Sequence, residues 1–487
     1  MADLFSIGRS GLSVSKKALE TTSHNISNVN TEGYSRQRTL QQANAPHLKS
    51  GVIMGTGADV KTIKRVHDQF VENRLQGSLS ENGFYNERSI ILKDIEQIFN
   101  EVDGEGLNQV LTKFFNSFRE LANNPEDESI RSLVRDNAIM VSRDFRRARQ
   151  ALDDHSNNID KKMETFVEEV NSYLNQITKL NQKIRNLEVS GNETGDLRDD
   201  RDRLLKRLSE FFKIHHYEDN RGNFNVNIDG VGTIVSGVKM IGLRTGRVSK
   251  EESLNNMEGS LMLYFEGRPS NPITHKFRGG RMEALIKARN EDILGLQNSI
   301  DQVAFQFSKA VNNIHNQGFA SRKVEISEDG TAASFDDKGP LTGINFFENI
   351  SEKDGAAHKI FVSQEVQSDL TNIASGLAPN KPGDNRVAIA ISKLQHQKIL
   401  HNNTTTFEEE YLKSIADIGL KAGKADIDQE QSKSLLTQME TIRERISGVS
   451  IDEEASNLIR YQRAFDASAR VMRTAGELFD TVLGIMP

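Results

Sequence analysis

Asn225, Asn227 and Asp229 set side-chain oxygens at alternate positions, and Gly230 stands where a calcium loop has its glycine. The twelfth position of such a loop would be Ser236 rather than a bidentate Glu, and the flanks alternate like strands, so a turn between strands outweighs a calcium site. In "IHHYED" (214–219), His215 and His216 lie beside Glu218 and Asp219. Neighbouring side chains on a strand point to opposite faces, which keeps the two imidazoles from sharing a metal; a surface strand end fits better.

"LRDDRDRL" (197–204) alternates acids with Arg, as expected of i,i+3 and i,i+4 ion pairs at a helix end rather than of a carboxylate pair for acid–base catalysis. "FRGGRME" (277–283) has adjacent glycines without the spacing of a phosphate loop and reads as a hinge or turn before a helix. There is no cysteine, which removes disulfides, thiolate metal sites and thiol nucleophiles. No catalytic, cofactor-binding or metal-ligating residue is assigned, no cofactor is expected, and the chain reads as non-enzymatic.

The 487 residues exceed one hydrophobic core, so two to four domains are expected. A net charge of −7 argues against a general nucleic-acid binder. The basic run "RDFRRARQ" (143–150) reads as a solvated helix face with nearby acids. "MADLFSIGRSGLSVSKKAL" is not a cleavable signal peptide, and no window reaches the ~18 apolar residues that would make a membrane-spanning helix. Membrane insertion is not expected.

Proline is absent between Pro125 and Pro269 and between Pro382 and Pro487, which permits long helices. Ile159, Met163, Phe166, Val170, Tyr173, Ile177, Leu180, Ile184 and Leu187 recur at alternating spacings of four and three and predict a long helix with a seam for a partner. After "SGNETG" (190–195) a second helical stretch covers 196–212. Phe224, Val226 and Ile228 alternate with Asn, predicting a half-buried strand, and 260–267, 272–277 and 358–363 are further strand candidates. The expected class is mainly α with β-containing inserts: a long helical coiled-coil stem built from both chain ends, with α+β or all-β middle domains projecting. The expected division is terminal axial helices at 1–50 and 445–487, a helical stem domain from 51–210, 282–320 and 385–444, and β-rich outer inserts at 211–281 and 321–384.

Both ends carry heptad-type seams. At the start they run through Leu4, Ile7, Gly11, Val14, Ala18 and Thr21; at the end through Ile451, Ala455, Leu458, Gln462, Phe465, Ala469, Met472, Gly476, Phe479, Leu483 and Met486. The N-terminal end has a small excess of Lys and Arg and the C-terminal end a small excess of Asp and Glu, which favours pairing. One reading is an intramolecular helix pair; the other is that the seams are buried mainly when many subunits pack, with the helices unordered in the free monomer. Between seam and body lies "SHNISNVNTEGYSRQR" (23–38), where Ser27 or Asn28 can end the helix and Asn30-Thr31-Glu32-Gly33 has the chemistry of a tight turn.

The N-terminal helix followed by "SHNISNVNTEGYSRQR" resembles the N-terminal signature of the flagellar rod, hook and hook-associated axial proteins, and "GVSIDEEASNLIRYQRAFDASARVMRTAGELFDTVLGI" (448–485) resembles their C-terminal signature. "GDLRDDRDRLLKRLSEFFKI" (195–214), "GDNRVAIAISKLQ" (383–395) and "TTFEEEYLKSIADIG" (405–419) narrow the resemblance to the hook-associated branch at the hook–filament junction. The resemblance implies a structural subunit of the extracellular flagellum, exported through the flagellar type III apparatus without cleavage. The implied partners are further copies in a ring, the flagellar hook protein, the next hook-associated junction protein toward the filament, and an export chaperone on the C-terminal helix. It assigns Leu4, Ile7, Val14, Leu458, Phe465, Met472, Phe479 and Leu483 to helix packing in the assembly. Asn25, Asn28, Asn30, Gly33 and Tyr34 are assigned to the turn and to contacts with a neighbouring subunit. The alternatives are another axial protein, or a coiled-coil-anchored adhesin or enzyme with its active part in the inserts.

Overall fold

The computed structural model describes residues 2–49, 52–99, 106–189, 194–247, 260–268, 271–322, 324–326, 332–334 and 341–485. Met486 of the C-terminal seam, most of "SGNETG" and parts of the 321–384 insert lie outside the described residues. Helix α1 (Ala2–Ser27) leads into β1 (Gln37–Ala43), β2 (His47–Lys49), β3 (Val52–Met54) and β4 (Ala58–Arg65). Helices α2 (Gln69–Ile98), α3 (Leu107–Asn123), α4 (Glu128–Val189) and α5 (Gly195–Phe211) follow. Strands β5 (Ile214–Glu218), β6 (Phe224–Ile228), β7 (Gly232–Ser236), β8 (Lys239–Met240), β9 (Leu243–Arg247) and β10 (Leu261–Phe265) come next. Then α6 (Gly280–Lys287) and α7 (Leu294–His315) flank a π-helical turn, Ala288–Ile293. The chain continues through β11 (Val324–Ile326), β12 (Ala332–Ser334), α8 (Ala356–Lys359), α9 (Gln364–Ser368), α10 (Arg386–Lys393), α11 (Phe407–Ser447) and α12 (Ile451–Ile485).

Two compact units share these elements: one contains Met1–Tyr85, Glu164–Glu283 and Gln429–Pro487, the other Asn86–Met163 and Ala284–Asp428. The architecture is mainly helical with small antiparallel sheets in the middle of the chain, as the residue patterns predict.

In the first unit β1 pairs with β4, β2 with β3 and β9 with β10, while β5 to β8 form a four-stranded meander in chain order. Seam residues Phe166, Val170 and Ile177 of α4 are buried, as are Leu205, Leu208 and Phe211 of α5. Phe166 meets Phe211 edge-on at 5.0 Å, and the Arg281 guanidinium lies 4.2 Å from the Phe166 ring centroid. The Asn171 carboxamide bonds both backbone groups of Leu243, donating to its carbonyl (2.7 Å) and accepting from its N–H (2.9 Å). That tie holds the β9 end to α4.

Several strand expectations change in detail. Strand β6 is buried on both faces rather than one, because Asn225 reaches the interior with its amide donated to the Asn223 carbonyl (3.1 Å). Thr274–Lys276 in the 272–277 candidate forms a 3₁₀ turn, since the Thr274 hydroxyl accepts from Leu263 N–H (2.8 Å) where a strand backbone would. The 358–363 candidate contributes only a single bridge, Val362 to Phe347. Asn225, Asn227 and Asp229 lead into a tight turn with Gly230 at φ +77°, and His216 packs on the Phe224 ring at 5.3 Å.

The second unit is built around phenylalanines. Phe114 of α3 has the rings of Phe115, Phe118, Phe307, Phe346 and Phe347 within 6.0 Å, mostly edge-on. Phe145 from α4 and Phe407 from α11 close on Phe307. Each such pair contributes about 1 kcal/mol beyond area burial. The run "RDFRRARQ" lies on α4, but its face is only partly solvated: Arg149 turns inward onto Asp153 and Asp301, whereas Arg147 stays in water beside Asp144.

Candidate assembly surface at the chain ends

The first and last helices of the first unit lie against each other. A Cβ on Gly8 would come 2.7 Å from Met472 Cγ, and one on Gly11 would come 2.7 Å from Ser468 Oγ, so the two backbones approach closely there. Further on, Asn25 Nδ2 donates to Glu454 Oε2 (3.1 Å). Residue numbers rise on α1 as they fall on α12, so the pair is antiparallel. Extending that register sets Leu478 opposite Ala2, and the last turns of α12 have no α1 residue to face.

Burial follows the register. Val14 is 6% exposed, and Ala18 and Thr21 are buried as well. Leu458, Phe465 and Met472 are half-buried. Toward the open end the same seam emerges: Leu4 and Ile7 are exposed, Phe479 is 53% and Leu483 52% exposed, and Leu478 and Val482 accompany them. The intramolecular pair therefore accounts for the inner half of the seam and leaves the outer half apolar and open. The expected α12 row shifts by about one position near its start, where Ala455 and Gln462 face water while Glu454 is buried. Glu454 is drawn inward by the buried Asn25 amide.

The turn after α1 is built from side-chain substitutes for backbone partners. Asn28 closes the helix, its amide donating to the His24 carbonyl (3.0 Å) and its own carbonyl accepting from Thr31 N–H (3.0 Å). Asn30 is exposed, and Gly33 takes φ +79°, a region that L side chains rarely adopt. Asn25 is 1% exposed. Its Oδ1 accepts from the Tyr34 hydroxyl (2.9 Å) and Gln37 N–H (3.0 Å), and its Nδ2 donates to the Gln37 carbonyl (2.9 Å) and Glu454. All four bonding positions of that carboxamide are filled. Tyr34, expected to offer its ring to a neighbour, is turned inward onto Asn25 and His24.

Further residues secure the joint, and sequence reasoning did not find them. Arg443 Nη2 donates to the carbonyls of Gly33 (2.8 Å) and Tyr34 (3.0 Å), while its Nε donates to Glu72 (3.3 Å). The Arg36 guanidinium pairs with Glu453, and the Arg36 backbone N–H donates to the Ser447 carbonyl (2.8 Å). Asp199 accepts from Ser35 N–H (2.9 Å), and both Asp199 and Asp202 receive Arg65 at 2.6 Å. The signal was present in "LRDDRDRL": Asp199 and Asp202 are three apart and share a face with Leu205, so they point inward rather than to solvent.

The electrostatics match this packing. Burial, reinforced by Asp196, Asp199 and Glu454, pushes the Tyr34 hydroxyl far above its ordinary pKa, so it remains a donor at any physiological pH. Burial raises Asp199, with Arg65 and Ser35 opposing it, whereas for Asp202 the pull of Arg65 and Arg201 overcomes burial and the pKa falls. A polar cleft of about 630 Å³ opens between α1, β1 and the first turns of α12, with Thr22, Arg38, Glu453 and Arg460 in its walls. Among the described residues no grouping of His, Asp or Glu could hold a metal ion, and no helix is long and apolar enough to cross a membrane. The arrangement offers packing surfaces and polar sockets.

Comparison with known proteins gives the same emphasis to the ends. Residues 5–34 match the family model described as flagella basal body rod protein, and residues 444–485 match the flagellar basal body rod FlgEFG protein C-terminal family. Residues 92–327 match the flagellar hook-associated protein FlgK helical domain. The chain is 29% identical to flagellar hook-associated protein 1 of Bacillus subtilis over 98% of this chain and 97% of that one. It is 26% identical to the protein of the same name from Salmonella typhimurium and 24% identical to that from Escherichia coli, over the full length of each. It shares its fold with the flagellar hook junction protein FlgK from Burkholderia pseudomallei, with a TM-score of 0.63 and 15% identity over 77% of this chain and 100% of that chain. With axial signatures on both paired end helices, a hook-associated domain between them and full-length relatives of one name, the chain belongs to the flagellar hook-associated protein 1 family.

Proposed function

We propose that this chain is a structural subunit of the bacterial flagellum that forms the junction between hook and filament and is required for filament assembly. One observation carries this reading. The two segments that match axial families are the two helices that pair antiparallel, and the apolar seam they share continues, uncovered, past the end of the pair. The hook-associated match over 92–327 favours the junction over a rod or hook position. The role is mechanical, with no catalytic step: many modest seam contacts repeated around a ring of copies hold the junction together.

On this reading the ring contacts the hook protein on one side and the next hook-associated junction protein on the other. Leu4, Ile7, Phe479 and Leu483 supply the contacts between copies. Val14, Leu458, Phe465 and Met472 hold each end pair together, and the Asn25–Tyr34 joint fixes where the chain leaves it. Export proceeds through the flagellar type III route with the N-terminus intact, and an export chaperone covers the C-terminal helix beforehand. A pull-down in which deletion of residues 449–487 leaves chaperone capture unchanged would remove that last element.

Electron microscopy of a strain lacking this chain tests the main proposal. The expected picture is hooks without filaments, with flagellin shed into the medium. Normal filaments and motility would overturn it.

A further inference from the structure

In the second unit, the segment Thr371–Gly376 is clasped from two sides by guanidinium groups that have only neutral hydrogen-bond partners among the described residues. Arg131, itself buried, donates to the carbonyls of Ile373 and Pro125 (2.6 Å to the latter) and to Ser375 Oγ (3.2 Å). Arg322 donates through Nε to Thr371 Oγ1 (3.1 Å) and through Nη2 to Asn372 Oδ1, while its Nη1 is buried with no hydrogen-bond partner. A buried donor left unpaired is destabilising, so this guanidinium favours a further acceptor.

Arg322 also lines a cavity of about 130 Å³, together with Ser321, Ser375, Gly376, Asn380 and Lys381 among others. None of its described lining residues is a carboxylate. Two acids that flank Thr371–Gly376 in the chain are engaged in local bonds: Asp384 accepts from Arg386 (2.7 Å) and Leu377 N–H (2.8 Å), and Asp369 from Thr371 N–H (2.9 Å) and hydroxyl (2.7 Å). Ser375 Oγ already accepts from Arg131, which leaves its own proton to donate into the cavity. The volume is below the ~300 Å³ at which sites for cofactor-sized ligands begin.

We propose that this cavity binds one small oxyanion, of phosphate or simple carboxylate type, with the Arg322 guanidinium, Lys381 and the Ser375 hydroxyl as donors and Arg131 as a further positive charge on Ser375. Charge-assisted bonds from guanidinium to an oxyanion are the strong ones, and Arg322 is a guanidinium whose hydrogen-bond partners among the described residues are all neutral. The proposal stands independently of the assembly role.

Isothermal titration of the full chain with potassium phosphate and with potassium acetate, each at constant ionic strength against chloride, tests it. Saturable binding of one anion per chain is expected, and the stronger of the two anions tells a tetrahedral from a planar ligand. Arg322→Gln should weaken binding roughly tenfold or more. Lys381→Gln, at the exposed rim, should weaken it several-fold while leaving the thermal midpoint in chloride unchanged, which keeps the test valid if Arg322→Gln misfolds. No saturable heat with either anion, wild-type affinity in a folded Arg322→Gln, or wild-type affinity in Lys381→Gln overturns the proposal.

Discussion

The Asn25 carboxamide pairs with both backbone groups of Gln37, accepting from its N–H at 3.0 Å and donating to its carbonyl at 2.9 Å. A side chain on α1 thus acts as the missing strand partner for the first residue of β1, and the same amide reaches Glu454 on α12. Three segments meet on one residue. Asn25→Ala leaves the N–H and carbonyl of Gln37 without that partner and the Tyr34 hydroxyl with the His24 ring nitrogen alone (3.1 Å), so we expect a loss of about 2–4 kcal/mol in local stability. Asn25→Asp should be no milder, because it removes the donor and adds a buried negative charge beside Glu454. Hydrogen exchange of residues 24–37 measures both; protection equal to wild type would count against the joint.

This joint also shows how far local patterns carry. The turn at Asn30–Gly33 was legible because its chemistry is local: a helix-ending Asn, then a glycine free to take positive φ. The long α4 was equally plain, since its seam repeats over nine residues at helical spacing. Tyr34 was misread because an aromatic after a turn looks exposed until its hydroxyl is known to find a buried amide. Arg443 stands more than 400 positions from the carbonyls of Gly33 and Tyr34 that it binds, and no periodicity encodes such a pairing. The phenylalanine cluster around Phe114 is similarly drawn from α3, α4, α7, α11 and the 346–347 segment, each contributing residues that alone look like ordinary helix or loop positions.

Gly8 and Gly11 bring α1 within contact of α12 at Met472 and Ser468. Gly8→Ala sets a single methyl against Met472 Cγ (2.7 Å), which a rotamer change of that half-buried methionine can relieve, and should be tolerated with a small shift. Gly11→Leu cannot be accommodated without parting the helices, and overpacking of this kind costs about 1–3 kcal/mol. We expect faster proteolysis within 1–30 and loss of swarming in Gly11→Leu but not in Gly8→Ala. Equal behaviour of the two variants would show that the close approach is unimportant.

His315 gives the second unit a defined acid sensitivity. Its Nδ1 donates to the Ile344 carbonyl (2.8 Å) and its Nε2 accepts from Ala374 N–H (3.0 Å), so the folded state holds it neutral. Burial lowers its pKa to about 4 from the ordinary 6.5, with Arg131 adding to the effect and the Ile344 carbonyl opposing it. Below pH 6.5 the unfolded chain takes up the proton first, so stability falls as pH drops and the loss is complete once pH is below the folded value. Over that window the loss amounts to about 3 kcal/mol. Denaturant titrations between pH 7 and pH 4 should show this slope in wild type and a shallower one in His315→Gln, the difference between the two isolating His315 from the carboxylates. Parallel slopes would exclude it.

The open end of α12 separates assembly from folding. Phe479 and Leu483 are half exposed and have no facing residue on α1, so Phe479→Ser with Leu483→Ser should leave monomer stability within about 0.5 kcal/mol of wild type. Val14 lies in the buried half of the same seam, and Val14→Ser should cost about 2–3 kcal/mol by exposing a cavity and burying a hydroxyl. If the open apolar row joins copies in the flagellum, the pair of substitutions at 479 and 483 abolishes filaments although the purified chain melts normally. Val14→Ser lowers the melting temperature and reduces filaments in proportion to the folded fraction. Thermal melts and filament counts on the same strains decide the matter: normal filaments on a chain carrying both tip substitutions would move the contact between copies away from the end of α12.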